Sequence, residues 1–136
     1  MTQHGQTVSE AELVRLATQA RKQAYAPYSS FTVGAALLTG DGHVFQGCNV
    51  ENISYGLTMC AERVAVGAAV QAGARHIAMI AIVSDSEEPV MPCGACRQVL
   101  AEFNPDLKVM SETLQGTNVS DLLSSLLPKP RQGILR

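Results

Sequence analysis

Four stretches of this chain place apolar residues at the three- or four-residue spacing of a helix or carry helix-capping residues. The first begins with Ser9 and Glu12, which have the spacing of a capping box. The second is followed by Gly73, a residue type that favours the position just after a helix. The sequence therefore predicts helices over residues 9–24, 60–72, 93–103 and 120–127.

Apolar runs between these helices predict strands. The first two runs flank the glycine-rich turn 39–42, which indicates an antiparallel hairpin. The third run, residues 76–84, is almost entirely apolar and is typical of a strand covered on both faces. The aperiodic polar segment 51–59 is predicted to be a loop that ends directly before Cys60. The predicted strands cover residues 31–38, 43–49, 76–84 and 107–110.

The order of these elements is α-β-β-α-β-α-β-α, and no repeat or linker interrupts it. Strands separated by helices favour βαβ units, with parallel pairing and helices that cover the sheet. We therefore predict an α/β fold with three layers, α/β/α, in a single domain over residues 1–136. Residues 1–8 and 129–136 are expected to be loose tails.

The composition is that of a globular protein, because 46% of the 136 residues are hydrophobic and 16% are charged. So little charge leaves little polar surface, which favours an oligomer. The net charge is −2 and no basic run is longer than two residues, which argues for a small-molecule partner and against nucleic acid. Neither a signal-peptide pattern nor a membrane-spanning apolar run is seen, so we expect a cytoplasmic protein without membrane contact.

Three of the cysteines form a pattern that indicates a metal site, since thiols in a reducing compartment more often bind metals than form disulfides. Cys93 and Cys96 are three residues apart at the start of a predicted helix, so both thiolates face one side. Cys60 begins another predicted helix, and two helix N-termini would bring partial positive charge to the sulfurs. Three protein ligands leave zinc an open coordination position, which is typical of a catalytic site. Glu62, two residues from a ligand, is the candidate proton shuttle.

Each part of this pattern also has an ordinary interpretation. The Cys-x-x-Cys pair alone is equally typical of a structural zinc or redox site, and Glu62 alone is typical of a first helical turn; only the combination favours catalysis. Three thiolates outweigh the charge of zinc, and either Arg63 or Arg97 could hydrogen-bond to a sulfur, of which we favour Arg63. Cys48 is interpreted as a small buried side chain. The histidines, His4, His43 and His76, are interpreted as surface or edge residues.

Several segments together resemble the zinc-dependent nucleoside and nucleobase deaminases, and more narrowly the small homotetrameric cytidine deaminases. The broader resemblance rests on Cys60, Ala61 and Glu62 together with the segment 92–96. The narrower one extends over about residues 11–128. It rests on Phe-Thr-Val-Gly-Ala-Ala at 31–36, Asn-Val-Glu-Asn at 49–52, Tyr-Gly-Leu-Thr at 55–58 and Pro-Cys-Gly-Ala-Cys-Arg-Gln at 92–98.

The resemblance implies a mixed five-stranded sheet between helices, a homotetramer with shared active sites and one zinc ion per subunit. It also implies pyrimidine salvage, in which cytidine and 2′-deoxycytidine are hydrolysed to the uridines and ammonia is released. Cys60, Cys93 and Cys96 match the zinc ligands, and Glu62 matches the residue that shuttles protons from a zinc-activated water. The other matches are Asn49 and Glu51 at a ribose hydroxyl, Phe31 beside the pyrimidine, the backbone N–H of Ala61 at the base carbonyl, and Tyr55 at a neighbouring subunit's site.

The C-terminal end departs from the family's pattern. The family often ends in Leu-Leu-Pro, a few small residues and a Phe that closes over the base. Here no aromatic residue follows Leu126, Leu127 and Pro128. Either Ile134 or Leu135 covers the base in place of that Phe, or this chain closes the pocket differently from the family.

Two other functions fit the same residues. One is a deaminase of another aminopyrimidine nucleoside, such as blasticidin S, against which the pair Asn49 and Glu51 argues because it suits an unmodified ribose. The other is a zinc-stabilised binding module without turnover, against which the open coordination position argues.

Overall fold

A computed structural model describes residues 2–3 and 8–130 of the chain, which form a sheet with helices on both faces. The strands are β1 (Thr2–Gln3), β2 (Val33–Thr39), β3 (His43–Cys48), β4 (Ile77–Ser84), β5 (Lys108–Thr113) and β6 (Asn118–Leu122). The helices are α1 (Glu10–Arg21), α2 (Ala61–Gln71), α3 (Gly94–Phe103) and α4 (Leu123–Leu126), with a 3₁₀ turn at Tyr55–Leu57.

The described strands form a mixed sheet in the order β1-β3-β2-β4-β5-β6. The hairpin of β2 and β3 is antiparallel, as predicted from the turn between them. β4 and β5 run parallel and are joined by α3, which makes the predicted βαβ unit. The five-stranded mixed sheet is therefore confirmed for β2 to β6, and the two-residue β1 adds a short edge beside β3.

Helix α1 covers one face of the sheet. Its N-terminus is capped as predicted, because the Ser9 hydroxyl oxygen accepts a hydrogen bond from the Glu12 backbone N–H at 3.1 Å. Leu13, Leu16 and Ala17 are buried against side chains of β2, β3, β4 and β5. This spacing of three and four residues is the one from which the helix was predicted.

Helices α2 and α3 cover the opposite face, so the three-layer α/β/α arrangement is confirmed. Ala61, Ala65 and Ala69 of α2 are buried against alternate residues of β2 and β4, together with Leu100 of α3. Small side chains allow α2 to lie close to the sheet. At Gly47 of β3 a β-carbon would lie only 2.4 Å from the Ala61 carbonyl oxygen.

The predicted helix over residues 120–127 is wrong in its first half. Residues Asn118–Leu122 form β6, which pairs antiparallel with β5, and α4 covers only Leu123–Leu126. Gly116 makes the turn between the two strands at a φ of 98°, which glycine adopts without strain. Pairing with the edge of β5 hydrogen-bonds the backbone of Ser120 in the ladder, and this overrides its tendency to cap a helix.

The predicted loose tails fall mainly outside the described residues, which omit 1, 4–7 and 131–136. Within the described part, Thr2 and Gln3 pair with Val44 and His43 of β3, and Val8 is buried. No helix in residues 2–3 and 8–130 has the length and apolar character needed to cross a membrane.

Candidate active site

Two helix N-termini bring three thiols together. Cys60 is the N-cap of α2, Cys93 is the N-cap of α3, and Cys96 lies in the first turn of α3. The three Sγ atoms lie within 4.8 Å of one another although 33 residues of chain separate the first two. The packing of α2 beside α3 therefore brings together thiols that are far apart in the sequence.

The geometry of these thiols fits zinc. The Sγ atoms of Cys60 and Cys93 are 3.9 Å apart. A disulfide would require about 2.05 Å. Two sulfurs at tetrahedral positions, each about 2.3 Å from zinc, would be separated by about 3.8 Å. Three thiolates are also the soft donors that zinc accepts, and they leave a fourth position for another ligand.

A cation and two helix N-termini offset the negative charge of the sulfurs. The Arg63 guanidinium lies with Nη2 3.7 Å from the Cys60 Sγ and also donates to the Thr58 carbonyl oxygen at 3.3 Å. Hydrogen bonds from the Cys96 thiol and then from Arg63 lower the pKa of Cys60 to about 5. Pairing with Cys60, followed by burial, raises the pKa of Cys96.

Arg97, the other arginine considered for this role, has different partners. Its Nε donates to the Pro92 carbonyl oxygen at 2.7 Å and its Nη1 donates to the Leu126 carbonyl oxygen at 3.0 Å. Arg97 therefore ties the segment before Cys93 to α4, and its guanidinium holds backbone in place.

Glu62 is a buried carboxyl group at the edge of the same site. Its side chain lies in the first turn of α2, and only 6% of the residue is exposed. Burial first, and the nearby Cys60 thiolate to a smaller extent, raise the pKa of Glu62 to about 7, against the opposing effects of a backbone hydrogen bond and of Arg63. A carboxyl group in this environment can both hold and release a proton near neutral pH.

A cavity of about 290 Å³ opens beside the thiols and Glu62, close to the lower end of the usual range for small-molecule sites. Segments distant in sequence meet there: the loop before β2, the segment after β3, the start of α2 and the segment before α3. The residues that line it are Ser29, Phe31, Val33, Asn49, Glu51, Tyr55, Thr58, Cys60, Ala61, Glu62, Val90, Met91 and Cys93.

Asn49 is held by the backbone on both sides of Thr32. Its Oδ1 accepts from the Val33 N–H at 2.9 Å, and its Nδ2 donates to the Phe31 carbonyl oxygen at 2.8 Å. Asn49 is buried, with 7% exposed. An amide has two donor hydrogens and two acceptor lone pairs, so one of each remains for a ligand.

Glu51 also lines the cavity, and its carboxylate faces the loop that precedes β2. The backbone N–H groups of Tyr28 and Ser29 each donate to its Oε1 at 3.1 Å, and the Ser29 hydroxyl donates to its Oε2. These hydrogen bonds, that of the Ser29 hydroxyl first, lower the pKa of Glu51. The carboxylate is therefore ionised and fixed in orientation.

The other residues expected at the substrate also line the cavity. Phe31 is about one-third exposed there, and Tyr55 lies at the rim with 88% of its surface exposed. Ala61 is the first residue of α2, and a backbone N–H in that position has no acceptor within its own helix.

Other residues considered from the sequence lie elsewhere. Cys48 lines a separate cavity of about 430 Å³ with Gln19, Gln23 and Gln46. It is only partly buried, whereas the sequence interpretation had it as a buried side chain. His43 lies beside Asp41 in the β2–β3 turn. His4 and the lid candidates Ile134 and Leu135 are outside the described residues.

Five cavity residues were given no role in the site from the sequence: Ser29, Val33, Thr58, Val90 and Met91. Val33 was predicted only as part of a strand. Ser29 belongs to a segment that was interpreted only as a loop. The other three directly precede the ligand segments, and proximity to Cys60 and Cys93 in the chain is the signal that could have indicated them.

Comparison with known proteins gives a consistent result. Residues 7–112 match the family model described as the cytidine and deoxycytidylate deaminase zinc-binding region. A protein of Halalkalibacterium halodurans named cytidine deaminase is 55% identical over 117 residues, which cover 85% of this chain and 89% of that protein. A cytidine deaminase of Mycobacterium tuberculosis strain H37Rv is 47% identical over 107 residues, 79% of this chain and 80% of that protein.

Solved structures agree with the sequence relatives. The crystal structure of cytidine deaminase from Burkholderia pseudomallei superposes with a TM-score of 0.86 at 50% identity, covering 90% of this chain and 98% of that one. The structure of the Mycobacterium tuberculosis enzyme gives a TM-score of 0.80 at 42% identity, covering 93% and 99%. Matched sequence, matched fold and a cluster of three cysteines that fits zinc lead to one conclusion: this chain belongs to the cytidine and deoxycytidylate deaminase family.

Proposed function

We propose that this protein hydrolyses cytidine and 2′-deoxycytidine to uridine and 2′-deoxyuridine, as an enzyme of pyrimidine salvage. Water replaces the amino group at C4 of the base, so each turnover consumes one water and releases one ammonia. The observation that carries the proposal is the meeting of three thiols and the buried Glu62 at one cavity, whose opposite edge presents Asn49 and Glu51.

Zinc held by Cys60, Cys93 and Cys96 would act as a Lewis acid that lowers the pKa of a coordinated water, so that the nucleophile is available near neutral pH. Glu62 has the burial and position to accept the proton of that water. It would pass this proton to N3 of the base and a second one to the departing amine. Arg63 would limit the excess negative charge at the sulfurs.

The opposite edge of the cavity would select a nucleoside. Asn49 keeps one free amide hydrogen and Glu51 is an ionised acceptor, a combination that suits a sugar hydroxyl. Phe31 would pack beside the pyrimidine, and the Ala61 N–H would donate to the base carbonyl. The relatives compared are named cytidine deaminases, so a deaminase of blasticidin S is not favoured.

Substitution of Glu62 tests the proposal. Glu62→Gln keeps the shape of the side chain but cannot exchange protons, so zinc content should stay near one ion per chain. Ammonia release from cytidine should fall by about 10²–10⁴-fold, the usual contribution of a general acid–base group. The matched control is Glu87→Gln, because Glu87 is an exposed carboxylate in the loop after β4. This variant should be as active as the parent. Substantial turnover by Glu62→Gln would contradict the assignment.

We propose further that the chain acts as a single deaminase domain in a cytoplasmic homotetramer, in which Tyr55 reaches a neighbouring subunit's site. Large exposed apolar side chains in the segments 25–28 and 53–57 support a covered surface: Tyr25, Tyr28, Ile53, Tyr55 and Leu57 are each more than half exposed. Light scattering on the purified protein should give four times the chain mass. A monomer with full activity would contradict this part of the proposal.

A further inference from the structure

Three donors from one short loop converge on the Glu51 carboxylate. The N–H groups of Tyr28 and Ser29 share Oε1, each at 3.1 Å, and the Ser29 hydroxyl donates to Oε2. The loop is fixed to the same segment from its other side, because the Tyr25 carbonyl oxygen accepts from the Glu51 N–H at 2.9 Å. Glu51 and the loop 25–30 therefore form one hydrogen-bonded unit.

A carboxylate offers about four acceptor positions, two on each oxygen. Three of these are occupied by the loop, two on Oε1 and one on Oε2. The position that remains is on Oε2, the oxygen that the Ser29 hydroxyl binds. Ser29 therefore determines the direction of the one acceptor position that a ligand in the cavity can use.

The same hydroxyl also connects Glu51 with Phe31. The Ser29 Oγ accepts a hydrogen bond from the Phe31 N–H at 2.9 Å while it donates to Glu51. Ser30 makes this possible by adopting a φ of 61°, which turns the chain back so that residue 31 faces residue 29. The Phe31 N–H thus occupies an acceptor position of the Ser29 hydroxyl and leaves its proton directed at the Glu51 carboxylate.

We propose that Ser29 is a positioning residue that aims the Glu51 carboxylate at the 3′-hydroxyl of the substrate's sugar. This inference rests on the proposed function, in which cytidine and 2′-deoxycytidine are both substrates. The 3′-hydroxyl is the secondary hydroxyl that these two sugars share. Ser29 acts through Glu51, so its contribution depends on the presence of both Glu51 and that hydroxyl.

The test compares three substrates: cytidine, 2′-deoxycytidine and 2′,3′-dideoxycytidine, which lacks the 3′-hydroxyl. Ser29→Ala removes the donor, Ser29→Thr retains it, and Ser54→Ala is the matched control. Ser54 is an exposed serine three residues after Glu51, and its side chain makes no capping hydrogen bond to the 3₁₀ turn that follows it. Thermal unfolding and zinc content are measured for every variant.

Ser29→Ala should lower kcat/KM for cytidine and 2′-deoxycytidine about tenfold, mainly through KM, because a hydrogen-bonded orientation of a charged group is lost. The same variant should change kcat/KM for 2′,3′-dideoxycytidine by less than about twofold, because this substrate has no 3′-hydroxyl for the Glu51 carboxylate to bind. Ser29→Thr and Ser54→Ala should stay within about twofold of the parent on all three substrates. A general structural defect would instead lower activity on all three substrates equally, and that result would overturn the proposal.

A second comparison establishes that Ser29 acts through Glu51. In a Glu51→Ala background, Ser29→Ala should have no further effect on cytidine, whereas a direct contact between Ser29 and the sugar would still be lost. A full additional loss in the double variant, or unchanged kinetics in Ser29→Ala alone, would overturn the proposal. If the parent protein releases no ammonia from cytidine, the proposed function itself fails, which is a different result from an active parent with an indifferent Ser29.

Discussion

Gly47 of β3 is the position at which a single added methyl group should disturb the zinc site most. Helix α2 lies directly on this residue. A β-carbon at Gly47 would be 2.4 Å from the Ala61 carbonyl oxygen and 2.5 Å from the Ala65 nitrogen. Both neighbours are backbone atoms, which cannot rotate away as a side chain can.

The size of the disturbance follows from these distances. To reach an ordinary separation of about 3.4 Å from the Ala61 oxygen, α2 must move by about 1 Å. Overpacking of this kind costs about 1–3 kcal/mol in the free energy of unfolding, which lowers the thermal midpoint by roughly 3–10 °C. Cys60 and Glu62 sit at the end of α2 that would be displaced. A misplacement of about 1 Å at reacting groups typically costs about 10²-fold in rate.

We therefore expect Gly47→Ala to unfold at lower temperature, to lose zinc more readily and to have about 10²-fold lower kcat/KM for cytidine. Unfolding is followed by circular dichroism, zinc by metal analysis and activity by ammonia release. Gly67→Ala is the matched control, because Gly67 lies in α2 and, among the described residues, no atom outside the adjacent residues and the helix's own backbone would lie within 4 Å of its β-carbon. Alanine there should leave activity intact and raise stability by up to about 1 kcal/mol.

A substitution at a third glycine distinguishes the effect of lower stability from the effect of a displaced zinc site. At Gly34 of β2 a β-carbon would lie 2.0 Å from the Ala17 carbonyl oxygen of α1, which carries no zinc ligand. Gly34→Ala should lower the thermal midpoint, while its folded fraction keeps zinc and loses less than about tenfold in kcat/KM. A Gly47→Ala variant that retains the midpoint and rate of the parent would refute this prediction. Equal loss of activity per bound zinc in Gly47→Ala and Gly34→Ala would refute it as well.

Two further predictions concern the sulfurs. Arg63→Gln removes the cation beside Cys60 and should speed the loss of zinc to a chelator by about 10–100-fold. Arg63→Lys keeps a cation and should release zinc at a rate between those of the parent and Arg63→Gln. Equal rates of zinc release for the parent and both variants would contradict this role. Cys48→Ala should still bind one zinc per chain and change the free energy of unfolding by less than about 1.5 kcal/mol, because Cys48 lies in a different cavity from the other thiols. A zinc content below one in Cys48→Ala, measured beside Cys93→Ala as the variant that loses a ligand, would show that this separation is wrong.

The sequence alone predicted most of the local structure and the three cysteines that the fold brings together as candidate metal donors. Hydrophobic spacing located α1, α2 and α3 within a few residues, because a helix that packs on a sheet must bury one stripe of its surface. The three cysteines were identified because Cys93 and Cys96 have the spacing of metal ligands at a helix start and Cys60 begins another helix. Local patterns were less reliable where pairing decided the outcome. Residues 120–122 were predicted as the start of a helix because β6, to which they belong, is exposed throughout and has no apolar alternation.

The tertiary structure decided how these parts meet. Only the packing of α2 beside α3 brings Cys60 within 3.9 Å of Cys93, and only the fold distinguishes Arg63, which lies at a sulfur, from Arg97, which holds backbone. The hydrogen bonds between Ser29 and Glu51 join residues 22 positions apart. No local spacing in the sequence predicts such contacts, because the hydrophobic pattern determines which face of an element is buried, whereas contacts between distant loops depend on how several elements pack together.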